Sequence, residues 1–288
     1  MHISPAPQPA IHASLALLAA PPARDAAGRV PALWLPLRSS VDVWWLGPDC
    51  LDQQQDARLC AMEHCLDLPP HPSIAAVRAA GYTDLGAHWV AIDRPPMPSM
   101  AKAASDGDCA ALLARARQLF AALAHLERHG IVHGDIGPDA IAVDVARGET
   151  VFRRFGPATH RQALGTATFC APTEPEYASP ERLRGGPLTA RTDVYSLALT
   201  LMTWFHGCSA EALPQVRAAK GRDASDPIAE LFSRMLSPVL GDRPRTARRA
   251  LAELELASGE CEGDFADDPM PMTDAWRSRS TYPSSMAR

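Results

Sequence analysis

The sequence predicts an α+β fold of two lobes: a reduced, β-rich amino-terminal lobe over residues 29–97 and a mainly α-helical carboxy-terminal lobe over residues 98–257. Short apolar runs separated by turn residues fill the stretch before residue 97. Pro95, Pro96 and Pro98 then mark an extended connector, which places the break between the lobes. Beyond it the apolar residues fall at helical spacing, most clearly from Cys109 to His129. The flanks, residues 1–28 and 258–288, are rich in Ala and Pro or in Ser, Pro, Met and acid without a period, and are expected to be disordered.

In the first lobe, Ala32 to Leu37 and Val41 to Leu46 are apolar runs separated by Arg38, Ser39 and Ser40, the pattern of a hairpin or two successive strands. Asp56 to Leu66 carries Ala57, Leu59, Cys60, Met62 and Leu66 at mixed spacings of three and four, which predicts an amphipathic helix ended by Pro69 and Pro70. In the second lobe, Leu112, Leu113, Ala116, Leu119, Phe120, Leu123 and Leu126 form one apolar stripe uninterrupted by proline or glycine. Two short strands follow, Ile141 to Val145 and Glu149 to Arg153. Pro157 to Glu176 is polar and aperiodic, so it is expected to be a mobile loop. Further helices are predicted over Leu188 to Gly207, Pro227 to Leu236 and Arg245 to Leu256.

Composition excludes several classes of function. A formal net charge of −5 leaves no excess of basic residues with which to neutralise phosphates, so a nucleic-acid partner is not expected. The apolar segment Ala13 to Ala20 is far short of the roughly 18 residues of a membrane span and lacks the basic start of a secretory signal. No membrane association is expected. Seven scattered cysteines, an odd number, make no disulfide framework and favour a reducing cytoplasm. Cys60, His64 and Cys65 lack the second ligand pair of a structural zinc site, and no metal is expected there.

The stretch Gly130 to Ile141 carries the chemistry. It reads Gly-Ile-Val-His-Gly-Asp-Ile-Gly-Pro-Asp-Ala-Ile, a rigid loop presenting the carboxylate of Asp135. Downstream come Arg154-Phe155-Gly156, Ser179-Pro180-Glu181, Asp193-Val194-Tyr195-Ser196-Leu197 and Asp242-Arg243-Pro244. In this order and spacing the pieces resemble the bacterial Ser/Thr protein kinases of the type shared with eukaryotes, over roughly residues 71 to 256. The resemblance implies a bilobal protein-kinase-like fold with His133-Gly134-Asp135 as the catalytic loop. It implies that Glu181 and Arg243 form an ion pair tying the activation segment to the late helices, and that Asp193 holds the backbone of that loop. His133, Phe155 and Gly156 are structural positions in the same scheme.

The chemical positions depart from the family. Phosphoryl transfer needs phosphates held by a lysine, magnesium to neutralise them, and a base near the acceptor hydroxyl. The chain has two lysines, Lys102 and Lys220, and none before them. If Val41-Asp42-Val43-Trp44 is the lysine-bearing strand, Trp44 stands in its place and Glu63 has nothing to pair with. Arg154 replaces the metal-binding Asp of Asp-Phe-Gly, Ala140 the metal-binding Asn, and Gly137 a lysine common in the loop. An arginine repels the cation that an oxygen ligand would hold. A Gly-x-Gly-x-x-Gly phosphate loop is absent from the first hundred residues.

The expectation is a degenerate member of the family, a pseudokinase, in which Asp135 is a vestigial base. No metal or other cofactor is expected; ATP is allowed only without magnesium or with weakly held magnesium, and Arg154 is the candidate phosphate contact. The expected partner is a protein, such as an active kinase or a secretion or signalling component. The alternative is an atypical kinase with Asp135 as base and Asp139 or Asp144 near a metal. Thr159, Thr166, Thr168 and Thr173 are candidate phosphoacceptors on the activation segment, and ordinary solvated threonines otherwise. Trp44, Trp45 and Trp89 are read as small-lobe core in preference to plugs of an empty cleft.

Overall fold

A computed structural model of the chain describes residues 12–19, 28–46, 65–82, 88–154, 159–160, 172–215 and 226–259. The first lobe is a five-stranded antiparallel sheet in the order β1-β2-β3-β5-β4. Its strands are β1 (Leu15–Leu17), β2 (Gly28–Trp34), β3 (Ser39–Leu46), β4 (Val77–Tyr82) and β5 (His88–Asp93). Side chains alternate across a strand, so Val41, Val43 and Trp45 of β3 point to one face. There they meet Val30, Ala32, Ala79, Trp89 and Ala91 in a small core. Asp42 and Trp44 point to the other face, towards the second lobe.

Strand β1 corrects the expectation of disorder over residues 1–28. Leu15 is buried in the small-lobe core and β1 pairs with β2, Leu15 opposite Trp34. Three apolar residues suffice for an edge strand, and prolines on either side hide so short a segment from a compositional reading. The helix predicted over Asp56 to Leu66, with Cys60, Glu63 and His64, lies outside the described residues apart from its last two positions.

The second lobe is built on α1 (Cys109–Arg128) and α3 (Ala190–His206), with α2 (Pro180–Leu183), α4 (Pro227–Met235) and α5 (Ala247–Ala257) around them. Asp108 caps α1 by accepting from the N–H groups of Ala110 and Ala111. Helix α3 is buried around most of its circumference because α1, α4 and α5 all pack on it, and its buried Thr200 and Thr203 hydroxyls donate back to carbonyls of the preceding turn. Thr189 and Thr192 form a reciprocal capping box at its start, and Gly207, at φ 59°, ends it.

Helix α1 hands the chain to the loop through Gly130, whose φ of 77° is left-handed. Strand β6 (Ile131–Val132) leads in, and a 3-10 turn at Pro138–Ala140 leads out to the hairpin of β7 (Ile141–Asp144) and β8 (Glu149–Phe152). The segment expected to be a mobile loop is anchored at both ends. Strand β9 (Thr159–His160) pairs with β6, and residues 172–177 fold back over the loop through a 3-10 turn at Pro175–Tyr177. Phe155, Gly156, Thr166, Thr168 and the tail from residue 260 lie outside the described residues. Among the described residues no helix is long and apolar enough to cross a membrane.

Candidate active-site cleft

The loop is held from below by one buried carboxylate. Asp193, in the first turn of α3, accepts from the backbone N–H of His133 through Oδ2 and of Gly134 through Oδ1, both at 2.8 Å. Burial pushes its pKa up to about 7 against the pull of those two donors. The His133 ring lies between the loop and the end of β8. Its Nε2 is 2.8 Å from the carbonyl oxygen of Arg154 and its Nδ1 accepts from the N–H of Asp135 at 3.3 Å, which fixes the neutral Nε2–H tautomer. Burial lowers its pKa to about 4. Gly134 is left-handed at φ 73°, and a Cβ there would lie 2.7 Å from Leu188 Cδ1. Glycine at this point of the His-x-Asp loop is thus fitted to both backbone and packing.

Glu181 and Arg243 make the ion pair that the resemblance implies, Nη1 to Oε1 at 2.8 Å and Nη2 to Oε2 at 3.1 Å. Arg243 also donates to the carbonyl of Ser237 and stacks on Tyr195 with its guanidinium carbon 4.6 Å from the ring centroid.

Above the loop the arrangement changes. Asp135 is buried, 5% exposed, and both its oxygens are taken by Thr173: the backbone N–H donates to Oδ1 at 2.8 Å and the hydroxyl to Oδ2 at 2.5 Å. Arg154 reaches in from the end of β8, 3.6 Å from Asp135 Oδ2 and 2.9 Å from Glu174 Oε1. Glu174 also accepts from the N–H of Asp139 and lies over Gly137, where a Cβ would meet its Oε1 at 2.5 Å. The side chain absent at Gly137 is what makes room for this acid. Burial raises the pKa of Glu174, with Arg154 opposing.

Trp44 forms the roof. The guanidinium carbon of Arg154 lies 5.8 Å from its ring centroid and that of Arg29 lies 5.7 Å from it. Trp44 therefore faces the cleft, whereas Trp45 and Trp89 are small-lobe core. Beside it, Asp42 is 2% exposed and receives three arginines: Arg29 at 3.4 Å, Arg153 at 3.5 Å, and Arg94 through Nε at 2.8 Å and through Nη2. Arg154 and Thr173 thus close over Asp135, with Trp44 against the Arg154 guanidinium.

Of the predicted site residues, His133, Asp135, Arg154 and Asp193 converge on the loop, and Glu181 and Arg243 lie below it. Asp139 is exposed, and Asp144 accepts from the N–H of Arg147 in a turn. Glu174, Asp42, Arg29, Arg94 and Arg153 were not legible as site residues in the sequence. The available signal for Glu174 was one of two acids, with Glu176, at the end of a polar segment in a chain that had placed an arginine in the metal position. Magnesium does not suit this donor set: Asp135 is engaged by Thr173, the next position offered is a guanidinium, and Ala140 has no donor oxygen in its side chain. Among the described residues no group of three or more His, Cys, Asp or Glu side chains is placed to hold a metal.

A family model for the protein kinase domain matches residues 102–248, just over half of the chain. The chain belongs to the protein kinase domain family, with the bilobal α+β fold. Its relatives include serine/threonine-protein kinase pkn3 of Myxococcus xanthus, 30% identical over 168 residues, covering 50% of this chain and 30% of that protein. Serine/threonine-protein kinase PrkC of Bacillus subtilis is 35% identical over 94 residues, covering 31% of this chain and 14% of that protein. The chain thus spans less than a third of the length of either relative.

Proposed function

We propose that the chain is a pseudokinase, a protein-kinase fold that docks or allosterically regulates a protein partner in bacterial signalling or secretion. The observation that carries this reading is Arg154. A guanidinium occupies the position from which a magnesium ligand would act, and its charge is committed to Asp135 and Glu174. Asp135 in turn is covered by Thr173, so neither a metal-bound phosphate nor an acceptor hydroxyl from outside has an open approach to it. Incubating the protein with Mg·ATP tests the reading. The expected result is no transfer of radiolabel to the protein or to a generic substrate. Phosphorylation that disappears in Asp135→Asn overturns it.

One observation favours an atypical Ser/Thr kinase instead: the Thr173 hydroxyl is hydrogen-bonded to Asp135 as an acceptor hydroxyl would be to a general base. On that reading Thr173 is the first residue phosphorylated, and intact-mass spectra after incubation with ATP and divalent metals show one added phosphate that Thr173→Val removes.

A further inference from the structure

The side of the cleft beneath the sheet holds more guanidinium than carboxylate. Arg29, Arg94 and Arg153 converge on Asp42 from β2, from the end of β5 and from the end of β8, three cations on one buried acid. A carboxylate has about four lone-pair sites, and three guanidinium groups carry about fifteen N–H donors. Most of those donors therefore have no acceptor in Asp42. Arg29 and Arg94 are 43% and 34% exposed, open to solution on their outer sides.

A second set of observations points the same way. Trp44 Nε1, Arg153 Nε and Arg154 Nε are each buried without an acceptor among the described residues. All three are donors that cannot accept, and they belong to the side chains that roof and wall the cleft. Buried donors are normally satisfied. The missing complement is a species made of acceptors, with oxygens in several directions and enough length to pass Trp44 between the Arg29 and Arg154 groups stacked on it. A single carboxylate is too small for that, and a neutral ligand leaves the cations uncompensated.

We propose that Arg29, Arg94 and Arg153, with Trp44 beside them, bind a phosphate-chain anion without a divalent metal. The arginine forks grip phosphate oxygens directly and supply the positive charge that a metal would otherwise bring. Burial and the neighbouring Arg29 and Arg94 pull down the pKa of Arg153, the electrostatic mark of a cation held among cations; Asp42 and the exposed Asp139 act against it. Asp42 acts as an internal competitor for the arginines. The site does not depend on whether phosphate is transferred.

Titration calorimetry in EDTA tests this with inorganic phosphate, pyrophosphate, tripolyphosphate and ATP as separate probes. Affinity is expected to rise with chain length and fall with added salt, and ATP is expected to bind within a few-fold of tripolyphosphate. Arg29→Gln and Arg94→Gln each remove charge-assisted hydrogen bonds and are expected to weaken tripolyphosphate about tenfold. Asp42→Asn frees the arginines and is expected to tighten it. Circular dichroism verifies that each variant is folded; should either arginine variant unfold, the direction of the Asp42→Asn change decides. The proposal is overturned if tripolyphosphate gives no saturable heat at millimolar concentration, if ATP binds and tripolyphosphate does not, if the folded arginine variants bind as the wild type does, or if Asp42→Asn weakens binding. Because magnesium is absent, none of these outcomes is confused with phosphoryl transfer, which is read separately with Mg·ATP.

Discussion

Below the catalytic loop, Asp193 is matched by two backbone N–H groups and Glu181 by the two arms of Arg243. Above it, Arg154 is shared between two acids, Asp42 is besieged by three arginines, and buried donors are left over. Both regions bury charge, and the cost of burial falls only when each group finds a partner. The lower region meets that condition at Asp193 and at the Glu181–Arg243 pair, which hold the loop, although Arg115 and Arg191 elsewhere in the lobe also keep buried nitrogens without an acceptor among the described residues. The upper region does not, and a surplus of one sign at a part-open surface is what a ligand or partner completes. The family resemblance is accordingly strongest where charge is balanced, and the departures from it gather where it is not.

The largest effect is expected at Asp193. Asp193→Ala strands two buried N–H groups in the loop, and an unsatisfied buried donor costs about 1–3 kcal/mol each. The expected loss is about 4 kcal/mol in urea unfolding with an unchanged slope. A loss below about 1 kcal/mol would mean that the frame is not what holds the loop.

A pH titration probes the frame a second way. His133 is neutral in the fold, with its pKa lowered from the ordinary 6.5 to about 4 by burial. Its contribution is complete above pH 6.5 and is lost as pH falls towards 4, because the unfolded chain takes up the proton first. Asp193, raised to about 7, works in the opposite direction over much of the same range, so the total profile is not diagnostic. The difference between wild type and His133→Phe isolates the histidine. That difference is expected to shrink by about 3 kcal/mol between pH 6.5 and 4. A constant difference would show that the ring is not held neutral.

Much of the frame was legible in the sequence because it is written in local, typed signals. The stripe from Leu112 to Leu126 announces α1, and Asp193 and Arg243 lie inside motifs flanked on both sides. The cleft was far less legible. Glu174 matters only because residues 172–177 fold back 37 positions onto Gly137, and no periodicity records that contact. Asp42 sits in Val41-Asp42-Val43, which reads as a strand with its polar residue turned to water. The alternation is right, but the outward face is the roof of a cleft, and three arginines distant in sequence bury the acid there. Trp44 was read as small-lobe core with Trp45 and Trp89; the same alternation turns it to the opposite face, where it packs partly buried against the main core and beside Arg154, and leaves Trp45 in the small-lobe core.

The smallest effect expected is the most informative about the upper region. Arg154→Asp exchanges the cation for a third acid beside Asp135 and Glu174, and the three carboxylates then repel one another unless a cation joins them. Magnesium at about ten times its dissociation constant stabilises such a site by about 1.4 kcal/mol. The unfolding midpoint of the variant is therefore expected to climb by a few degrees with millimolar magnesium, while that of the wild type stays fixed. Calcium offers a control, since its larger radius and looser geometry tolerate a less exact arrangement of oxygens. If the wild type responds as strongly as the variant, Arg154 does not substitute for a metal, and the contrast between a balanced frame and a cation-rich cleft fails at its central residue. If neither responds, the loss at Ala140 has removed more of the site than the arginine has, and Arg154→Asp combined with Ala140→Asn becomes the variant that must bind.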